Sequence, residues 1–263
     1  FRFGGQSVLN GSAGYSGDSQ GGILGGALMS MAPDYKWGSL GVPGQTYSTL
    51  LDRSVDWPEY GQIMYGAYDK GKERPLLMAL IQQLWDRGEA NGYSEHIGKN
   101  PLPGSPTNTV LLLPAWGDHQ VTNLAVENYA RTIGAKLRTP ALDHLRVGPF
   151  NTFWNITDGG AGAFTGNAMV MMDTGPPRAA TCTSWSCAAN PLTDPDPCLS
   201  GACKGTPARP VGNVAPDYGQ DPHGVGGDSA EIRRLVFTYV RTGTLDAGCS
   251  GLPCGIGGWQ PGL

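Results

Sequence analysis

The chain has 263 residues, enough for one large domain with a sizeable core. Only 15% of them are charged and the formal net charge is −4, so no basic surface points to nucleic acid, and no apolar run is long enough to span a membrane. Phe1 is not an initiator methionine and no signal-peptide pattern comes after it, so the chain reads as a processed product or a piece of something longer.

Residues 1–13 are rich in glycine and serine, with Val8-Leu9 as a short apolar pair, and read as a loop leading into a strand. Gly17-Asp18-Ser19-Gln20-Gly21 then fits G-x-S-x-G, in which a serine occupies a sharp turn between a strand and a helix. The backbone of such a serine is strained, and glycine two residues to either side keeps side chains from colliding. Residues 22–31 are small and apolar and predict a buried helix ending before Pro33. In a chain with 41 glycines the pattern gains its weight from its flanks and from its partners downstream. The overlap with the Gly-Asp-Ser-Gly-Gly of chymotrypsin-like proteases is broken by Gln20. Those enzymes also place histidine and aspartate before the serine, and no histidine precedes Ser19.

Residues 38–44 read as a short buried strand ending in a turn. From 45 to 100 the character is helical. The clearest stretch is 72–90, with Leu76, Leu77, Leu80, Ile81, Leu84 and Trp85 on one face. Together with Trp57, Tyr60, Met64, Tyr65 and Tyr68 this block is either plain core or a cap over a substrate pocket. Residues 100–107, with three prolines, form a linker. Residues 109–114 (Thr-Val-Leu-Leu-Leu-Pro) are the strongest strand, apolar throughout as a central parallel strand should be. They lead into Ala115-Trp116-Gly117-Asp118-His119-Gln120-Val121 and a helix over 121–137, with Val121, Leu124, Ala125 and Ile133 inward. A buried strand over 168–172 ends in Asp173-Thr174-Gly175. The Cys/Pro-rich loop 176–227 comes next, long enough to be functional or pinned by crosslinks. The last helix opens with Asp228 as N-cap and Glu231 three residues on, and buries Ile232, Leu235, Val236 and Tyr239 before ending near Gly243.

The six cysteines fall as Cys182/Cys187, Cys198/Cys203 and Cys249/Cys254. Even number and placement in Pro/Gly/Ser/Thr-rich loops favour three local disulfides over zinc, because the pairs lack nearby histidines and Cys-x2-Cys spacing. This implies an extracytoplasmic location: secreted, periplasmic or cell-surface. Asp194, Asp196 and the carbonyls of 191–198 offer oxygen ligands to Ca2+, but Asp-Pro-Asp-Pro is also ordinary turn chemistry, and no cofactor is expected. Asn10-Gly11-Ser12 and Asn155-Ile156-Thr157 fit glycosylation sequons, which arise by chance as well.

Strand, elbow, helix, strand, helical block, strand with aspartate, helix, strand, long loop with histidine, helix: this order resembles the C-terminal portion of the α/β-hydrolase fold, as in exported bacterial hydrolases. In that family the triad runs serine, acid, histidine along the chain. The resemblance places Ser19, Asp118 and His223 in those roles and the backbone N–H of Gln20 in the oxyanion hole. It implies a mostly parallel sheet flanked by helices, with 45–100 as a helical cap-like insert. His96, His119 and His144 do not occupy the family's position. Asp143 and Asp173 are weaker rivals for the acid. The family also supplies strands before the elbow, and one of them brings the second oxyanion N–H. Only 18 residues precede Ser19 here, so an N-terminal segment or separate chain is expected to complete the sheet.

The function implied is cleavage of carboxylic esters through an acyl-enzyme, because elbows of the Ser-Gln-Gly-Gly type resemble those of lipases, cutinases and polyester depolymerases. A peptidase or amidase of the same fold is one alternative. A non-catalytic, hydrolase-derived assembly subunit is the other.

Overall fold

The computed structural model describes residues 2–7, 13–142, 151–174, 215 and 221–255. Two residues each of β1 (Arg2–Phe3) and β2 (Gln6–Ser7) pair antiparallel. The elements that build the core begin with β3 (Ala13–Asp18), α1 (Gln20–Met31), β4 (Tyr35–Gly41), α2 (Tyr47–Leu50), α3 (Pro58–Ala67), α4 (Arg74–Trp85), β5 (Thr109–Leu113) and α5 (Asn123–Ile133). Then come β6 (Lys136–Arg138), β7 (Thr157–Gly160), β8 (Phe164–Thr165), β9 (Ala168–Met169), β10 (Met172–Asp173), α6 (Ala230–Thr242), β11 (Thr244–Leu245) and β12 (Cys254–Gly255). Six strands form one sheet in the order β3-β4-β5-β9-β6-β7, and every pairing in it is parallel.

β5 lies inside this sheet because its sequence has no polar face. Val110 and Leu112 share a cluster with Met29 of α1 and with Val126, Tyr129 and Ile133 of α5. Leu111 and Leu113, one residue out of phase, share another with Ile232, Leu235 and Tyr239 of α6. Strand side chains alternate between faces, so α1 and α5 cover one face and α6 the other. Full burial of each such leucine contributes roughly 1.5–3 kcal/mol. The small residues of α1 set how closely it lies on the sheet: a Cβ on Gly22 would stand 2.5 Å from the Gly41 carbonyl oxygen.

The sheet is wider than the pattern predicts. The expected helix over 121–137 stops at Ile133, where Gly134 adopts φ 64 and the Ala135 N–H returns to the Ala130 carbonyl. That αL cap frees 136–138 to pair as β6. β7 (Thr-Asp-Gly-Gly) carries no apolar pattern at all. β3, expected to be central, pairs only with β4 among the described residues and is an edge strand there.

Two further expectations are corrected. The apolar stripe of α4 is not a buried face: Leu76, Leu80 and Leu84 are 65%, 55% and 64% exposed, and the helix buries Met78 and Gln82 instead. What holds this region is polar. The buried Glu89 carboxylate accepts the N–H groups of Thr46, Tyr47 and Asn91 at 3.0 Å and Gln82 Nε2 at 2.6 Å. The cap of α6 is Ser229, whose Oγ accepts the Ile232 N–H, one residue beyond the expected Asp228. Asp228 falls in a short 3-10 turn before it.

Cys249 and Cys254 form a disulfide. The pairs Cys182/Cys187 and Cys198/Cys203, together with Asp194, Asp196, Asp143 and His144, lie outside the described residues. No described helix is long and apolar enough to cross a membrane. No cluster of three or more metal-ligating side chains occurs among the described residues.

Candidate active site

Ser19 is the single residue between β3 and α1. Its backbone stands at φ 58, ψ −123, a region that costs a non-glycine residue of order 1–3 kcal/mol and persists only when its surroundings hold it. They do so here through two hydrogen bonds. The Ser19 N–H donates to Gly41 at 2.9 Å, and its carbonyl accepts the Ile23 N–H at 3.0 Å. A Cβ on Gly17 would lie 2.8 Å from the Gly21 carbonyl oxygen, a backbone atom that also accepts the Tyr15 hydroxyl, so glycine is required there. Gly21 is different, since a Cβ on it would make only an ordinary contact at 3.8 Å. The tight position after the serine is Gly22.

Asp118 leaves the end of β5 in a turn tied by Asn123. The Asn123 side chain donates to the Ala115 carbonyl at 2.7 Å and accepts the Gly117 N–H at 2.9 Å, while Gly117 takes φ 81. The carboxylate is 1% exposed, and its Oδ1 accepts the N–H groups of Gln120 and Val121, both at 2.9 Å. Burial pushes the carboxyl above the ordinary range, against the opposing pull of His223 and these two N–H groups.

His223 reaches in from the loop before α6. Its Nδ1 lies 2.9 and 3.0 Å from the two Asp118 oxygens, and its Nε2 lies 2.7 Å from Ser19 Oγ. A carboxylate only accepts, so Nδ1 carries the hydrogen and Nε2 is left to accept the serine proton. Burial alone would depress the imidazole pKa. The Asp118 hydrogen bond and the charges of Asp118, Asp221 and Asp56 outweigh it, and the pKa is raised. Three segments up to 204 residues apart in sequence thus converge on one hydrogen-bonded line.

The other expected candidates lie elsewhere. Gln20 is the first residue of α1, where a backbone N–H has no partner within the helix. His96 binds the Asn100 carbonyl through Nδ1 at 2.8 Å, within the helical block. His119 is buried without a hydrogen-bond partner for Nε2 among the described residues, and burial lowers its pKa. Asp173 is buried in β10, and the carboxylate on His223 is that of Asp118.

A cavity of about 560 Å³ opens at Ser19 and His223. Its walls are largely apolar, from Val42, Leu113, Met172, Ile232, Val236 and Phe237, with Arg233 and Asp18 as its other charged side chains. No residue of 45–100 is among those lining it, although Asp56 of that block, read as either core or cap, is one of the charges acting on His223. Sequence reasoning passed over Asn123 and Asp221, which brace the acid and histidine loops. An aspartate two residues before the histidine, in the register of an Asx turn, is a signal that could have flagged the second. The chain matches no protein-family model, no curated protein and no solved structure.

Proposed function

We propose that this chain is a serine hydrolase of the α/β-hydrolase type that cleaves carboxylic esters through an acyl-enzyme. The observation that carries the reading is the relay from Ser19 Oγ through His223 to Asp118, at 2.7 and 2.9 Å. It is made by a serine whose backbone is held at positive φ at a strand–helix turn. His223 Nε2 takes the Ser19 proton as Oγ attacks the ester carbonyl. The negative charge that develops on the carbonyl oxygen is met by the Gln20 N–H at the start of α1, where the helix dipole adds to it. Collapse of the intermediate expels the alcohol, which leaves with the proton from His223. Water then repeats the sequence on the acyl-enzyme and regenerates Ser19. Asp118 keeps the imidazole in the accepting tautomer and stabilises the imidazolium. The apolar cavity supports an ester of an apolar acid. The Cys249–Cys254 disulfide supports an extracytoplasmic location. The edge of β3, unpaired among the described residues, supports a further strand, from another segment or chain, completing the sheet.

Labelling with a fluorophosphonate, then peptide mapping, tests the reading. Ser19 is expected to carry the label, and p-nitrophenyl acyl esters to be hydrolysed faster than chromogenic peptides. Absence of label on Ser19 in folded protein would leave a non-catalytic subunit as the better account.

A further inference from the structure

His223 sits on a loop that continues through Gly224, Gly226 and Gly227, with no strand pairing to hold it among the described residues. A misplacement of about 1 Å at such a base costs roughly a hundredfold in rate, so something must fix the loop. One side chain does. Asp221 Oδ1 accepts the N–H of His223 and the N–H of His119, both at 3.1 Å, and its Oδ2 accepts Gln120 Nε2 at 2.8 Å. The Gln120 N–H in turn donates to Asp118. A single carboxylate therefore grips the histidine loop and the acid turn, which lie 102 residues apart in sequence.

We propose that Asp221 is a positioning residue of the Ser19–His223–Asp118 set: its carboxylate clamps the histidine loop to the acid turn and fixes where the imidazole stands. The inference rests on the serine hydrolase reading. Three facts carry it further than a loop staple. Pro222, between Asp221 and His223, is buried and restricts the Asp221 backbone to extended conformations, so the side chain is presented toward the acid turn. Burial would raise the Asp221 carboxyl, yet the hydrogen bonds from Gln120, His119 and His223 outweigh it and hold it below the ordinary value, as an anion at neutral pH. The charged groups facing His223 are Asp118, Asp221 and Asp56, and His119 also faces Asp221, so the clamp contributes charge as well as position.

Two substitutions separate those contributions. Asp221→Asn keeps an oxygen for the two N–H groups but removes the charge, and Asp221→Ala removes both. The alanine variant is expected to lose about a hundredfold in kcat with KM nearly unchanged. The asparagine variant should keep most of its kcat at alkaline pH, while the acid limb of kcat/KM moves to lower pH. In parallel, the His223 imidazole is titrated by NMR in 15N-histidine-labelled protein, a readout that needs no turnover. Its pKa is expected to fall in both variants, and its Nδ1 proton signal to broaden or move in the alanine variant. Wild-type kcat, acid limb and imidazole titration in Asp221→Ala would overturn the proposal. If the alanine variant melts early, an unmoved imidazole titration in the asparagine variant overturns the electrostatic half of it. Unlabelled Ser19 in the wild type would refute the hydrolase reading separately, and the NMR titration would still decide the clamp.

Discussion

On the proposed mechanism Ser19, His223 and Asp118 act as one unit, so their loss is not additive. Ser19→Ala is expected to reduce ester turnover to background while the melting temperature stays close to wild type, because a hydroxyl replaced by hydrogen at a half-buried position opens no cavity. Turnover above background in the purified variant would end the assignment of Ser19. Asp118→Asn presents an amide where a carboxylate now receives three donors, so the imidazole can take the wrong tautomer, with a loss on the order of 10⁴ in kcat. A loss below tenfold would exclude Asp118 as the orienting acid. The pH dependence derives from the raised pKa of His223. The base must be neutral, so kcat/KM should rise with pH through a limb above the ordinary histidine value of 6.5. The stability linkage has the opposite sense. Folded His223 holds its proton more tightly than the unfolded chain does, so its contribution is full below 6.5 and is lost as pH rises through the raised value. Activity should therefore increase over the window in which this contribution to stability declines. Melting curves of wild type and His223→Ala, recorded against pH, check the sign.

At the scale of elements, close approach and coverage decide what each helix can tolerate. Gly22→Ala would put a Cβ 2.5 Å from the Gly41 carbonyl oxygen, a backbone atom that cannot swing away. Overpacking of this kind costs about 1–3 kcal/mol, and the shift should also disturb Ser19, whose N–H binds the same carbonyl. A lowered melting temperature with unchanged kcat would show that the elbow is independent of this contact. In α4 the expected outcomes are reversed from what its sequence suggests. Met78→Ala, at 3% exposure, should cost about 2–5 kcal/mol, whereas Leu80→Gln should fall within about 0.5 kcal/mol of wild type. Denaturant midpoints of the two variants distinguish them. The reason the stripe misleads is that periodicity reports which side chains share a face, not what covers that face. The same limit explains β6 and β7. Apolar positions run on from α5 to Leu137, so only the conformation of Gly134 shows that the helix has ended, and β7 is polar because it lies at the sheet's far edge. By contrast the convergence of Ser19, Asp118 and His223 was legible from their order along the chain, with Ser19 and Asp118 in turns at the ends of apolar strands and His223 in the loop before the last helix. Asp221 was harder to see because two of its three partners are backbone N–H groups, which every residue carries.

For the whole molecule, the question of coverage falls on β3. In a parallel sheet both faces are covered and inner strands pair on two sides. Here β3 pairs with β4 alone among the described residues, and Ala13, Gly14, Ser16 and Asp18 are exposed along it. The alternate N–H and C=O groups that point away from β4 form a ready template for another strand. The helices beside it also carry exposed apolar side chains. Phe237 of α6 is 60% exposed and Leu24 of α1 is 42% exposed, while both helices pack on β3. An added strand would pair with the open edge, and its side chains would lie between those helices and extend the two apolar layers. Residues 1–263 expressed alone are therefore expected to self-associate and to bind an apolar dye. Ala13→Lys, which places a charge at the exposed start of β3 and away from the cavity, should reduce both. Sedimentation and dye fluorescence, compared between the two proteins, measure the effect. A monomer that melts cooperatively, binds no dye and hydrolyses esters at full rate would show that the edge of β3 is a finished surface and that no strand is added there.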